Sequence, residues 1–441
     1  MEGTAKTGVI EVCGDEGNKK SIVKFGKYGW GTILYCLLMF WFYVGFVNDG
    51  SNITAPAVAA KLGVLPGTIM NMNSVAGIVG VFFFIIIGQI NRIIGARLTS
   101  GIFTIIAGIG YICIGNARGV LSYTIAMCFV VGGIMSAGYI AGGTLVAQWF
   151  PKKKGVVMGY TTMGHNLASA FYVPIITWLV GHFGVGRGVV IPAAAVIILG
   201  VFGFIFIRNT PQERNMNPDN VSDEVYRTEY FVGQIDNEKA WDVKGLLKTR
   251  ELWLAAVTTG FFQICSVGVM SQLVIRNVSL GFTQNQAISL MTVIACIGVV
   301  GSWLVGILDD KIGTKQTMII FGIWYMIALL ANASETKLGI YLSIFMIGMG
   351  IGGSANFTTS LPTSIFGRHE FDKVNSVIFP IQGLITALCF AVNGIVLNLT
   401  GNLRSAYLVF AGVAAVDVLL VLLIDEHKYN KDWQAEAGKV K

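Results

Sequence analysis

An acidic residue inside a long apolar stretch is the first feature that suggests chemistry. Asp49 lies in FVNDGSNIT, between Gly45 and Gly50, where an apolar and aromatic run continues. On a helix, Asn48 and Asn52 share a face because they are four residues apart, and Asn52 is three residues from Asp49. Ionisable groups within membrane helices are rare and usually functional. The group predicts a site that binds a proton or hydrogen-bonds a substrate. An outer gate or a helix-packing network is the alternative.

A histidine with a neighbouring amide is the second candidate. His165 and Asn166 lie midway along another apolar segment, directly after Gly164. An imidazole ordinarily titrates near neutral pH, so His165 could couple protons to transport. The alternative is a packing histidine whose hydrogen bonds are satisfied.

Arg276 is the third candidate, in SQLVIRNVSLG at the end of an apolar segment. It could guide or bind an anion, or its side chain could extend to the membrane interface. Asp49 and Arg276 are predicted at a similar depth, so they could pair as an outer gate. Asp417 lies in the last apolar segment, and we expect it to have a structural role.

Uncharged side chains in the apolar segments could also face a cavity, although most membrane aromatics simply pack. The polar candidates are Asn73, Tyr139, Gln263, Gln272, Asn356 and Gln382, and the aromatic ones are Trp41, Tyr43 and Phe262.

The composition indicates that these groups are held in a membrane. Of 441 residues, 54% are hydrophobic and 12% are charged, whereas a soluble domain has roughly 25% charged residues. The seven cysteines are scattered, which predicts free thiols and neither disulfides nor a metal site. The first 29 residues are polar and lack the pattern of a secretory signal.

Twelve segments are apolar over roughly the 20 residues that a helix needs to cross a bilayer. They lie near 30–58, 66–90, 96–116, 119–149, 155–182 and 189–207, then near 252–277, 284–308, 314–333, 337–361, 372–399 and 403–424. We therefore predict an all-α membrane protein with twelve transmembrane helices in two six-helix halves. The halves are 30–207 and 251–424, with tails at 1–29 and 425–441. Between them lies a linker at 208–250, which is either a solvated connection or a segment that regulates the protein or binds a partner.

The distribution of basic residues predicts the orientation. Most of the 31 Lys and Arg residues fall in the tails, the linker and the loops on the same side as the termini. The other side has Lys61, Arg118, Arg187, Arg276, Lys337 and Arg404. By the positive-inside rule, both termini are cytoplasmic. This distribution also explains the net charge of +7 without a nucleic-acid partner.

The two halves repeat one loop motif. Gly88 to Arg97 reads GQINRIIGAR, and Gly306 to Lys315 reads GILDDKIGTK. Each follows the second predicted helix of its half. Two parallel six-helix repeats indicate a secondary transporter.

The second copy of the loop resembles that of the major facilitator superfamily, Gly-x-x-x-Asp-Arg/Lys-x-Gly-x-Arg/Lys. The matching residues are Gly306, Asp310, Lys311, Gly313 and Lys315. The resemblance extends over nearly the whole chain and implies that Asp310 caps a helix N-terminus, so that the loop locks one access state. In the first copy, Arg92 takes the Asp position and Ile93 the basic one, so the clasp of that half lacks these partners.

Two further stretches resemble the oxalate/formate antiporter and monocarboxylate porter branch, which carries small carboxylates. They are WFPKKKGVVMG, from Trp149 to Gly159, and FGRHEF, from Phe366 to Phe371. Members that carry oxalate are similar in having basic residues in helices eight and eleven. Here helix eight has none before its loop, and helix eleven has none after Lys373. Because an unpaired buried charge is costly, a monoanion or a larger amphipathic carboxylate fits better than a dianion.

The sequence therefore predicts a gradient-driven transporter of a small organic anion, with a monocarboxylate favoured, by H+ symport or exchange. A proton-coupled symporter for a bulky amphipathic anion, such as a bile acid or an aromatic acid, is the alternative. A non-transporting membrane sensor is the alternative of another class. Without a phosphate-cradling loop or a metal-ligand cluster, we expect no enzyme activity, cofactor or metal. The expected partners are the anion, a proton or counter-substrate, and the lipid bilayer. We expect a monomer that crosses a bacterial inner (plasma) membrane many times.

Overall fold

Helices form all of the regular secondary structure in the residues that the computed structural model describes, which are 25–151, 153–227, 241–367 and 371–430. Parts of the predicted tails (1–24 and 431–441) and of the linker (228–240) lie outside the described residues. So do Lys152 of WFPKKKGVVMG and residues 368–370 of FGRHEF.

The N-terminal half contains six helical regions, α1 to α6. The first is divided into α1a and α1b. Their bounds are α1a Gly26–Tyr43, α1b Ser51–Leu62, α2 Pro66–Ile94, α3 Ala96–Gly115, α4 Val120–Trp149, α5 Val156–Gly188 and α6 Val190–Phe206. A π-helical turn, Val44–Asn48, separates α1a from α1b.

The C-terminal half repeats this order as α7 to α12, and again its first helix is divided. The bounds are α7a Arg250–Met270, α7b Leu273–Ser279, α8 Gln284–Ile312, α9 Thr314–Ala333, α10 Lys337–Phe366, α11 Phe371–Thr400 and α12 Arg404–Leu422. We call the end of the bundle that holds the described chain ends the proximal side, and the opposite end the distal side.

Among the described residues, ten helices are long and apolar enough to cross a membrane, or eleven when the two parts of the bent α10 count as one span. Helix α6 is apolar but shorter, at 17 residues. The predicted all-α, multi-pass membrane protein is therefore confirmed. The count of twelve spans and the cytoplasmic position of both termini stay predictions.

Two glycines end corresponding helices and make the internal repeat visible. Gly95 follows α2 with a φ of 82°, and Gly313 follows α8 with a φ of 87°. Residues other than glycine rarely adopt a backbone conformation with positive φ. At both positions the chain therefore turns at once into the next helix, α3 or α9.

The two halves are joined at mid-depth and on the distal side. Ser74 Oγ of α2 donates to the carbonyl of Ala387 in α11 at 2.7 Å. Nearer the distal end of the same pair, Gly67 and Gly394 let the two backbones approach, because a Cβ on either would collide with the carbonyl oxygen of the other. Small residues permit such close helix packing in membranes.

Candidate functional site

Gly164 brings α5 against α1 at the centre of the N-terminal half. A Cβ at this position would stand 3.0 Å from the backbone nitrogen of Trp41. Because the next residue is His165, this close packing places the imidazole beside the aromatic residues of α1.

An aromatic cluster surrounds His165. Its ring centroid lies 4.8 Å from that of Phe40 in an edge-on contact, and 6.2 Å from those of Tyr43 and Tyr139. Tyr139 of α4 also contacts Phe379 of α11, at 6.0 Å between centroids. The cluster therefore reaches across the boundary between the halves. His165 Nε2 is buried and has no hydrogen-bond partner in the described part of the chain.

Asp49 lies on the same α1–α5 interface, toward the distal side. Its side chain is buried, and Ser169 Oγ donates a hydrogen bond to its carboxylate. Ser169 is four residues after His165, so both project from one face of α5. The interface thus holds two protonatable groups. Asp49 is hydrogen-bonded to Ser169, and His165 is at the centre of the aromatic cluster.

Asn52 joins the halves where helices 1 and 7 are both interrupted. Its Nδ2 donates to the carbonyl of Met270 at 2.7 Å, and its Oδ1 accepts from the backbone nitrogen of Val274 at 2.9 Å. Ser51 Oγ donates to the carbonyl of Ser271 at 3.0 Å. The break between α7a and α7b frees these backbone groups, and the polar residues of α1b satisfy them. We call this contact the distal seal.

Arg276 is held inside the C-terminal half. Its Nε donates to Asn332 Oδ1 at 3.0 Å, its Nη2 to the carbonyl of Asn332 at 3.3 Å, and its Nη1 pairs with Glu335 at 3.0 Å. The side chain is 1% exposed, so it does not extend to the interface. Since Asp49 receives its hydrogen bond from Ser169, the predicted pairing of Asp49 with Arg276 is not formed in this structure.

Several predicted residues are bonded within one half. Gln263 donates to the carbonyl of Ser354 at 3.2 Å, and Asn356 to that of Ser302 at 3.0 Å. Asn73 Oδ1 accepts from the hydroxyl of Tyr123 at 2.6 Å.

The other predicted polar residues are buried or half-buried. Some have side-chain atoms without a hydrogen-bond partner among the described residues, and some lie where a helix is interrupted. Gln272 is fully buried at the break of helix 7, and neither amide atom has a hydrogen-bond partner among the described residues. Gln382 of α11 likewise has a buried Oε1 without one. Asn48 is buried in the π-helical turn, and Asn166 is half-buried beside His165. Asp417 is buried in α12.

Four residues of the site escaped the sequence reasoning: Phe40, Ser51, Ser169 and Phe379. Ser169 could have been found, because its spacing of four from His165 places it on the same helix face. Nothing in the sequence indicates which backbone groups Ser51 would meet in helix 7.

The comparison with protein families decides the identity of the fold. The model of the Major Facilitator Superfamily matches residues 33–389 and 252–440. The chain belongs to this superfamily. It is therefore a membrane transporter and not an enzyme, and the resemblance seen in its loop motif is confirmed.

The named relatives of this chain are distant in sequence. The uncharacterized MFS-type transporter YhjX of Escherichia coli (strain K12) is 22% identical over 297 residues, which are 66% of this chain and 70% of that protein. The glucose-6-phosphate exchanger SLC37A2 of Bos taurus is 24% identical over 425 residues, 85% of this chain and 83% of that protein. The oxalate:formate antiporter of Oxalobacter formigenes is 26% identical over 230 residues, half of each chain.

A solved superfamily structure shows the same fold. The crystal structure of a D-xylose-proton symporter superposes with a TM-score of 0.70 over 91% of this chain and 99% of that one, at 12% identity.

The superfamily loop makes a contact that its motif does not include. Asp310 is exposed, and Glu426 accepts from the backbone nitrogen of Thr314, at the N-terminus of α9, at 2.6 Å. The capping role of Asp310 at a helix N-terminus stays a prediction. Glu426 follows α12, so the cap ties the last helix of the half to its third.

The first half has an equivalent contact despite its divergent motif. Asn209, which follows α6, accepts from the backbone nitrogen of Arg97 at 2.9 Å through its Oδ1. An amide oxygen thus caps α3 where a carboxylate caps α9. A cap on the third helix is thus common to both halves, although Arg92 and Ile93 replace residues of the motif in the first half.

Proposed function

We propose that this protein carries a small organic anion with one negative charge, a monocarboxylate in first place, by alternating access. The observation that carries the proposal is the cluster of Tyr43, Tyr139 and His165. These three side chains are half-buried at the centre of the bundle, and the Nε2 atom of His165 is without a partner. A carboxylate and a proton are complementary to such a group.

The charges of the surrounding helices favour a monoanion. Helix α4 has no Lys or Arg, and α1a, α5 and α11 have only Lys27, Arg187 and Lys373, each near a helix end. Arg276 is engaged with Asn332 and Glu335. A dianion at the cluster would therefore keep at least one charge unpaired in a low dielectric, which is costly. This argues against oxalate and against sugar phosphates, although two relatives are named glucose-6-phosphate exchangers.

Two protonatable groups support coupling to H+. Asp49 and His165 lie on one helix interface, and a proton on His165 would neutralise a bound monocarboxylate. Transport would then be an electroneutral symport of H+ and anion, or an exchange of two anions at the same site. The contacts on the distal side support access from the proximal side in this state, as alternating access requires.

A bulky amphipathic anion is the second candidate. The rings of Phe40 and Phe379 extend the cluster on both sides of Tyr139. An aromatic acid could stack there and place its carboxylate at His165.

Counterflow in proteoliposomes tests these proposals. Vesicles loaded with unlabelled formate, acetate, lactate, benzoate or cholate are given the labelled compound outside, with oxalate and glucose 6-phosphate as the dianionic set. We expect uptake with at least one monocarboxylate and none with the dianions. Preferred uptake of a dianion would overturn the assignment. A ligand that stabilises the protein but is never transported would favour a sensor.

The proposed location is a bacterial inner membrane, with both termini cytoplasmic and the protein monomeric. The orientation of the termini rests on the distribution of Lys and Arg. A C-terminal alkaline phosphatase fusion should be inactive, and an active fusion would contradict the orientation.

A further inference from the structure

A groove separates α5 from α8 on the distal side, apart from the aromatic cluster. Its volume is about 480 Å³, and it is open along one side. This volume lies within the range of ligand pockets, about 300–1,000 Å³. Because α5 and α8 belong to different halves, the groove lies on the boundary along which the halves move.

The floor of the groove is a hydrogen bond between the halves. Pro174 has no N–H and cannot donate to the carbonyl of Ala170 four residues earlier. Thr292 Oγ1 of α8 donates to that carbonyl at 3.2 Å instead. The two helices are therefore joined at this depth, and the groove extends from there to the distal surface.

The walls of the groove are apolar in spite of their hydroxyl groups. Thr177 Oγ1 donates to the carbonyl of Val173 at 2.7 Å, and Ser289 Oγ to that of Asn285 at 2.9 Å. Both hydroxyl groups are thus satisfied by their own helices. Trp178 and Ile288 supply the remaining apolar surface.

Exposed polar groups are found at the mouth. His182 Nδ1 is bonded to the carbonyl of Trp178 at 2.8 Å, which leaves Nε2 available. Asn285, in the first turn of α8, is exposed and lines the same pocket. From Asn285 to Thr292 the helix rises by about 10 Å at 1.5 Å per residue. The groove is therefore polar at the membrane surface and apolar below it.

We propose that this groove binds one acyl chain of a membrane phospholipid, with the headgroup at His182 and Asn285. The polarity along the groove matches that of a lipid. The neighbouring face of α5 also contacts hydrocarbon, since Phe171, Ile175 and Trp178 are exposed at helical spacing. A bound chain touches both halves and stabilises the state in which Thr292 and Ala170 are joined.

Photo-crosslinking tests the site. The whole protein is placed in phosphatidylcholine nanodiscs that contain a trace of phosphatidylcholine with a diazirine in its acyl chain, and the crosslinked peptides are mapped. We expect crosslinks to concentrate on residues 174–182 and 285–292. The variant Gly181→Phe should reduce them several-fold, because a side chain at Gly181 meets open space and fills the groove.

Gly412→Phe is the matched control, since Gly412 on α12 also faces open space, away from the groove. It should leave the crosslinks unchanged. Added phosphatidylcholine should raise the melting temperature of the wild type and of Gly412→Phe in detergent, and less so that of Gly181→Phe. If Gly181→Phe does not fold, Ser289→Phe fills the groove from the opposite wall.

Three results would overturn the proposal. Crosslinks spread evenly over the exposed faces of α5, α8 and α12, and unchanged in Gly181→Phe, would mean ordinary surrounding lipid. Equal stabilisation of all variants by phosphatidylcholine would mean the same. Displacement of the label by cholate would assign the groove to an amphipathic substrate instead.

Discussion

Arg97 and Lys315 make the same contact in the two halves of the molecule. Each lies two residues after the glycine that ends the second helix of its half. Arg97 Nε donates to the carbonyl of Phe204 at 3.0 Å, near the end of α6, and Lys315 Nζ donates to the carbonyl of Ile424 at 2.7 Å, just beyond α12. In both halves, the last basic residue of the loop motif therefore ties the third helix to the end of the sixth.

We predict that Arg97→Gln and Lys315→Gln each destabilise the protein. Hydrogen bonds to charged groups contribute about 1.5–3 kcal/mol, and each variant loses at least one. Arg92→Gln and Lys311→Gln are the controls, because both residues are exposed in the same loops, and changes there should stay within about 0.5 kcal/mol. Thermal unfolding in detergent measures all four. A larger loss for Arg92→Gln or Lys311→Gln would contradict the structural assignment.

We predict that Asn52→Ala loosens the distal seal. The variant loses two hydrogen bonds to helix 7, together worth about 1–3 kcal/mol, so the distal-open state becomes more populated. The readout is labelling at Asn71, which lies on α2 beside Gly394 of α11 near the distal end of that helix pair. Asn71→Cys is labelled with a membrane-impermeant maleimide, in a background without the exposed Cys113 and Cys296.

The matched control for this prediction is Asn116→Ala. Asn116 is exposed, and it bonds the carbonyls of Ile112 and Gly186 within its own half. Its loss should leave the labelling unchanged. Equal labelling of the wild type and Asn52→Ala would show that the seal does not limit opening.

We predict that Arg276→Gln lowers stability without changing the apparent KM for the anion. The guanidinium bonds only to protein groups in the described part of the chain, and the substitution leaves Glu335 and Asn332 without it. Arg118→Gln, an exposed arginine on the same side, should be neutral. Melting temperature and uptake kinetics distinguish a structural role of Arg276 from a role in binding the anion. A raised KM at unchanged stability would return Arg276 to the binding site.

We predict that His165→Gln abolishes uptake driven by a proton gradient and leaves anion exchange. Glutamine keeps hydrogen-bonding capacity but cannot carry a proton. Met163→Leu is the control, because Met163 is exposed two residues away on the other side of α5. Uptake with and without an imposed pH gradient distinguishes the modes. Intact gradient-driven uptake in His165→Gln would leave Asp49 as the coupling group.

The sequence predicts what depends on local pattern. Apolar length is sufficient to predict that the chain forms membrane helices, and the glycines at 95 and 313 are sufficient to predict the matching turns in the two halves. His165 could be selected because it is polar within an apolar helix. The same reasoning selected Tyr43 and Tyr139 only as two members of a larger set.

The partners of these residues could not be predicted, because they come from distant parts of the chain. Arg276 is bonded to Asn332 and Glu335, and α9 is capped by Glu426, which lies more than a hundred residues further along the chain. The break in helix 7 at Ser271 has no Gly or Pro at the break itself, and Gly268 lies one helical turn before it. The three-dimensional packing determines the partners of Arg276, the cap of α9 and the break in helix 7.

The distal seal makes the opening of the distal side depend on hydration. When the halves separate there, the carbonyls of Met270 and Ser271 lose Asn52 and Ser51, and buried backbone groups must find new partners. Water is the available one, so opening takes up water molecules. The balance between the two states should therefore respond to osmotic stress applied from the distal side: a large osmolyte that is excluded from the distal opening will hold it closed, and hydration of that opening will release it.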